Sequence, residues 1–271
     1  MQYPPLLRLA APNFSQLLPA LAFATVLAAL PGQSAHAAGA LNDTGITFCA
    51  DETTNTASCA SVASDTGAYP RQDARYGRDA AAAAGQLSKI GGGEAGFDFT
   101  ALDAAGNPTT PTAGATPHPC VRDNVTGLVW EVKTADGGLR DQQWSYTWFD
   151  SVHNYGGNQG TANGGDRACK TSGRCDTEKY VADVNATRLC GFADWRMPSV
   201  YELESIVHLG RSNPAIDPAY FPNTLSSRFW SGSPVARGSF DAWWVRFSDG
   251  LATGGTYRTE GFAVRSVRGG Q

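Results

Sequence analysis

The placement of cysteine constrains this chain more than any other feature. Cysteines stand at Cys49, Cys59, Cys120, Cys169, Cys175 and Cys190, and none follows. Whether they are thiols, metal ligands or disulfides depends on the compartment, and residues 1–37 bear on that. They carry one early cation, Arg8, an apolar run from Leu17 to Leu30 that contains Pro19, and Ala35-His36-Ala37 as a small-x-small cleavage site. This is the pattern of a secretory signal peptide. The run is short for crossing about 30 Å of hydrocarbon, so no transmembrane helix is expected in the mature chain. Export to the periplasm, the cell surface or the medium follows as an expectation.

An even number of cysteines in an exported chain reads as a disulfide framework. Locality favours Cys49 with Cys59 and Cys169 with Cys175, leaving Cys120 for Cys190, although spacing does not exclude other pairings. No C-x-x-C occurs, and the histidines beyond the leader, His118, His153 and His208, lie far apart. No metal site and no cofactor are therefore expected. Asp217 and the neighbouring carbonyls offer oxygen donors for an ion only as a weak alternative. The formal net charge is -4, and loss of Arg8 with the leader makes the mature chain slightly more acidic. That balance argues against nucleic acid as a partner.

Composition divides the rest. Residues 38–106 are rich in Ala, Gly, Thr and Asp, and read as a thin N-terminal extension clipped by a disulfide. The run "GFDFTALD" within it has the character of a strand able to dock on the main domain. Residues 107–119, "NPTTPTAGATPHP", read as a stiff linker. The main domain then spans 120–271. Its first strand is expected in "DNVTGLVWEVK", where Leu128, Trp130 and Val132 share one face after an Asn-x-Thr-Gly turn. "TWFDSVHNY" is expected as a short helix. Two further helices are predicted: "DTEKYVADVNATRLC", capped by Asp176, and "PSVYELESIVHL", in which Ser199 and Glu202 have capping-box spacing and Leu203, Ile206 and Val207 form a buried stripe. Strands return in "AWWVRFSDG", with a turn at Ser248-Asp249-Gly250, and in "FAVRSVRGG". Strand, helices and then antiparallel strands predict an α+β domain.

The stretches "DNVTGLVWE", "GFADWRMPSVYELESIV", "NPAIDPAYFPNT", "FWSGSP", "AWWVRFSDG" and "VRSVRGGQ", in this order from Cys120 to Gln271, resemble the Lcl C-terminal domain family of exported bacterial proteins. The resemblance implies a C-type-lectin-like fold, with two main helices packed on antiparallel strands. That fold is related to the formylglycine-generating enzymes and to the variable proteins of diversity-generating retroelements. A member of the family is a bacterial surface adhesin whose C-terminal domain is associated with sulfated glycans and attachment. Formylglycine chemistry depends on a cysteine pair in the C-terminal part of the fold, which this chain lacks, so no catalytic residue carries over and no enzyme is expected. The lectin-type Glu-Pro-Asn calcium motif is absent as well.

The favoured reading is an adhesion or ligand-binding protein whose partner is a glycan or a cell-surface protein, with oligomerisation possible. On a two-period strand Trp243 is expected in the core while Trp244, Arg246 and Ser248 face the ligand. Arg237, Asp241, Tyr257 and Arg258 complete the candidate binding set, with Arg265 a further donor for sulfate or carboxylate. Structural roles are expected for Trp130, Trp195, Arg196 and Trp243. An alternative is a receptor diversified by a retroelement: between Ser231 and Ser266 nearly every residue is reachable by adenine-directed codon change. A structural role in an envelope assembly is another.

Overall fold

The computed structural model describes residues 42–56, 59, 69–153, 158–164 and 168–269. The leader expected over 1–37 lies outside the described residues. All of those described belong to one compact unit, His36–Gln271.

The architecture is mixed, with short helices and antiparallel sheets. A small hairpin, β1 (Cys49–Ala50) with β2 (Asn55–Thr56), precedes two short helices, α1 (Asp73–Tyr76) and α2 (Arg78–Ala83). Next come β3 (Phe99–Leu102), β4 (Pro108–Thr109), β5 (Cys120–Asp123) and β6 (Val129–Glu131). Helix α3 (Thr177–Thr187) and helix α4 (Val200–Glu204) follow. The chain ends in β7 (Arg228–Pro234), β8 (Asp241–Arg246), β9 (Ala252–Tyr257) and β10 (Val267–Arg268). One sheet has the order β10-β6-β5-β3-β4 and the other the order β7-β8-β9, all pairs antiparallel.

The segments read as extension and linker pack into one unit with the domain, and "GFDFTALD" carries a strand that docks on it. Strand β3 lies inside the first sheet, with Phe99 opposite Asp123 and Leu102 opposite Cys120. Phe97 and Phe99 enter the same apolar cluster as Val121, Trp130 and Phe221. Ahead of them, Asn42 donates to the Asp123 carboxylate at 2.7 Å and the Leu209 N–H to the Thr44 carbonyl at 2.7 Å. The expected linker is laid against the domain by His118. This buried ring bonds the Tyr220 carbonyl through Nε2 at 2.9 Å and Thr112 through Nδ1, and burial pushes its pKa down. Composition misleads here because a few large rings and buried side-chain hydrogen bonds outweigh a background of small residues.

The helices start where their caps place them. The Asp176 carboxylate accepts the Lys179 N–H at the start of α3, and Ser199 with Glu202 forms a reciprocal capping box on α4. Leu203, Ile206 and Val207 are buried behind that box, though α4 itself is short. Over residues 147–153, the described part of "TWFDSVHNY", no helix forms. Tyr146 exchanges backbone hydrogen bonds with Phe262, while Thr147 pairs with Asp176 and Phe149 with Gly160. Three consecutive buried side chains, Tyr146, Thr147 and Trp148, are served by an extended segment packed on both sides. The closing strand is also shorter than expected, since Val264, Arg265 and Ser266 are all buried and alternation has no solvent side to sort.

Covalent and ionic ties close the unit. Cys49 pairs with Cys59, Cys120 with Cys190 and Cys169 with Cys175, the pairing that locality favours. Glu131, Lys133 and Tyr180 form a fully buried triangle. Lys133 Nζ donates to Glu131 Oε1 at 2.9 Å, to the Tyr180 hydroxyl at 3.0 Å and to the Val264 carbonyl at 3.0 Å. Tyr180 donates to the same Glu131 oxygen, and the Ser266 N–H reaches the other at 2.8 Å. Burial would raise the Glu131 carboxyl, but the Lys133 charge and these donors outweigh it and hold it below the ordinary range.

Removing one member strands its partner as an uncompensated buried charge. Lys133→Ala is expected to cost about 3–5 kcal/mol in urea unfolding. The double substitution Glu131→Leu with Lys133→Met is expected to cost less than Lys133→Ala alone, because it removes the pair's two opposite charges together.

Candidate functional site

The three-stranded sheet is packed on both faces, and that decides which candidate residues are free. Phe229, Val245 and Phe247 point into one apolar cluster with Trp243 beside them. Trp230, Ala242 and Trp244 point into a second cluster with Tyr146, Trp148 and Phe262. Alternation along β8 thus separates two cores and not a core from solvent. A shift of register between Ala242 and Trp244 accommodates the two large rings.

Trp244 is consequently not the outward ring expected of it. It is 5% exposed, stands edge-on to Phe262 at 5.9 Å and donates its indole N–H to Thr256 Oγ1 at 2.9 Å. Trp243 is the half-buried member of the pair. Arg258 is also internal: it is 1% exposed, its guanidinium lies 4.2 Å from the Trp148 ring centroid, and it donates to the Asp241 and Asn158 carbonyls. Arg265 is buried among the rings of Phe221, Phe229 and Phe247 and donates to Thr224 Oγ1 at 2.6 Å; burial pulls its pKa down to about 10. A charge on a flexible stem looks exposed in a sequence, whereas here aromatic faces replace its water.

The remaining candidates split between opposite ends of β8. Arg246 and Ser248 sit at its far end, where Arg246 forms a two-pronged pair with Asp249 and its hydrogen bonds hold that carboxyl down at about 2. Gly250 closes this turn at φ +81, and a Cβ there would meet Val207 at 2.6 Å. Arg237, Asp241 and Tyr257 gather at the near end, with Asp241 opposite Tyr257 in register. Phe240 joins them, its carbonyl accepting the Arg258 N–H at 2.8 Å. Phe240 is 61% and Tyr257 65% exposed. Phe240 was not singled out by sequence reasoning, though an aromatic residue between the glycine-serine turn and Asp241 is a usable signal.

Below this tip lies a groove of about 340 Å³. Trp148, Phe149, Val181, Met197 and Gly232 give it apolar walls, and Asp150, His153, Glu178 and Arg196 supply polar edges. Arg258, stacked on Trp148, joins groove to tip. His153 Nδ1 meets Asp150 at 2.8 Å, and Glu178 accepts the Ser151 N–H at 2.7 Å. Arg196 grips Glu202 with both arms at 2.8 and 2.6 Å and donates to the Gly269 carbonyl. Trp195, 3% exposed, exchanges hydrogen bonds with the Asn185 side chain; fully buried Trp130 lies in the first cluster. Asp217 is occupied by the N–H groups of Glu94 and Ala219.

The model of the Lcl C-terminal domain matches residues 119–268. The chain belongs to the Lcl C-terminal domain family. No curated protein matches it. The match begins one residue before Cys120 and takes in the groove, the tip and both helices of the Lcl C-terminal domain. Strand β3, which completes the first sheet, lies ahead of the matched span.

Two substitutions separate packing from surface in this domain. Trp244→Ala is expected to lower stability by about 3–5 kcal/mol, since it empties a site between Trp230, Phe262 and Thr256. Tyr257→Ala is expected to change it by no more than about 0.5 kcal/mol. Chemical denaturation of the two variants reads both values.

Proposed function

We propose that the chain is an exported, non-enzymatic binding or adhesion protein whose ligand, a glycan or a protein, docks on the tip formed by Arg237, Phe240, Asp241 and Tyr257. The observation that carries this reading is the pairing of two exposed rings with a spare cation. Among the described residues Arg237 makes no ion pair or side-chain hydrogen bond, while Arg246, Arg258 and Arg265 are committed elsewhere. Exposed aromatic faces stack on sugar rings or insert into protein surfaces, and a free guanidinium takes sulfate or carboxylate in a forked hydrogen bond. The groove below offers room for a longer ligand to continue.

Other observations support parts of the same reading. Three disulfides suit an oxidising compartment. No helix among the described residues is long and apolar enough to cross a membrane. The antiparallel sheets and two capped helices, with the early strand β6 and the last strand β10 side by side, suit a C-type-lectin-like domain. Every cysteine is held in a disulfide, which argues against the thiol chemistry of the formylglycine-generating relatives.

The test is a glycan array carrying sulfated and unsulfated polysaccharides, probed with the purified chain and with an Arg237→Ala/Phe240→Ala/Tyr257→Ala variant. The expected result is loss of about tenfold or more in binding with melting unchanged, as for removal of a small hot-spot cluster. Equal binding by the variant would move the site away from the tip.

A further inference from the structure

A carboxylate cluster lies in the N-terminal part of the unit. Asp43, Asp73 at the start of α1 and Asp79 in the first turn of α2 each place an oxygen within 4.8 Å of the others. Few donors serve them. The Gly45 N–H reaches Asp43 Oδ1 at 2.8 Å, the Gly96 N–H reaches Asp79 Oδ1 at 2.8 Å, and the Thr44 hydroxyl reaches Asp73 Oδ2 at 2.5 Å. No ion pair is formed by any of the three among the described residues. The nearby cations are turned to carbonyls, Lys89 to those of Gly93 and Ala95 and Arg78 to that of Gly96.

A second observation, separate from the clustering, points to a ligand. Asp79 is only 3% exposed, and its Oδ2 is buried without a donor. The Oδ2 of Asp43 is buried and undonated as well. An ionised carboxylate so placed is strongly unfavourable unless it takes a proton or a cation. Glycine makes room for the carboxylates: a Cβ at Gly96 would stand 1.5 Å from Asp43 Oδ2, and one at Gly77 would stand 1.5 Å from Asp73 Oδ1.

We propose that Asp43, Asp73 and Asp79 hold a calcium ion that clamps the segment around residue 43 to α1 and α2. All the donors are hard oxygens, as calcium prefers. The three oxygens lie within 4.8 Å of one another, close enough for one ion to touch all three at calcium's bonds of about 2.3–2.6 Å. Magnesium keeps most of its waters and usually takes only one or two carboxylates, so three aspartates favour calcium. The clamp bears on the whole unit, because Thr44 accepts the Leu209 N–H and Gly45 lies against the His208 ring.

Calorimetric titration of the purified chain with CaCl2, together with melting in CaCl2 and in EDTA, tests the site. The expected result is a saturable binding heat and melting raised by roughly 5 °C or more at saturating calcium. Asp79→Asn is expected to weaken calcium binding by about tenfold or more, yet to melt in EDTA no lower than the parent, because a neutral amide replaces the buried charge. That second comparison keeps a folding defect apart from a lost ligand. No heat and equal melting in CaCl2 and EDTA would overturn the proposal. So would undiminished calcium binding by Asp79→Asn, or binding of MgCl2 in preference to CaCl2.

Discussion

The structure hangs on the buried triangle of Glu131, Lys133 and Tyr180. Burying two charges is costly, and the cost is offset only where the partners are close and the remaining lone pairs and protons are filled. Here Lys133 spends its three donors on Glu131, Tyr180 and the Val264 carbonyl, while Glu131 also takes the Ser266 N–H. The five groups come from β6 and the residues just after it, α3 and the segment leading into β10. A chain that satisfies them has that strand, its longest helix and its closing segment in one arrangement. Competing packings leave a charge orphaned, so the triangle gives specificity even where its net stabilisation is small.

Around that triangle the aromatic residues divide into two kinds. Three of the buried indoles are tied down by their N–H groups: Trp148 to the Ser231 carbonyl, Trp230 to the Tyr146 carbonyl and Trp244 to Thr256. Trp230 and Phe262 stack at 4.3 Å, and Arg228 lies over Trp244 and Phe262. These rings weld the three-stranded sheet to the segment at 146–148. Phe240 and Tyr257 have no such role. A tip of free rings on a sheet immobilised from both sides is preorganised for contact, which lowers the ordering cost of binding. The surface available to a ligand is therefore set by what the core has already used.

Much of this was legible in the sequence, and the exceptions share a cause. Caps at Asp176 and Ser199, the common face of Leu128, Trp130 and Val132, and the local cysteine pairs are short-range signals, and each has its counterpart in the fold. The roles of Trp244, Arg258 and Arg265 were not legible. Period-two alternation tells which residues share a face and is silent on whether that face meets water, so a sheet buried on both sides defeats it. "TWFDSVHNY" reads as a helix by spacing, yet Thr147 and Trp148 are held in extended backbone because Cys175, Thr177 and Arg258 supply their hydrogen bonds from far along the chain. The carboxylate cluster escaped notice for the same reason: a search for histidine and cysteine spacing passes over aspartates that only folding brings together.

Residues 97–119, read from composition as extension and linker, and the domain that follows form one cooperative unit locked by the triangle. Native-state hydrogen exchange tests this most directly, since it reports the opening free energy amide by amide. Ala101, Val121, Glu131, Tyr180 and Val267 are predicted to exchange slowest and through a single opening of equal free energy. If β3 and β4 instead open on their own, at clearly lower free energy than β6, α3 and β10, the extension is a separate layer and the claim fails.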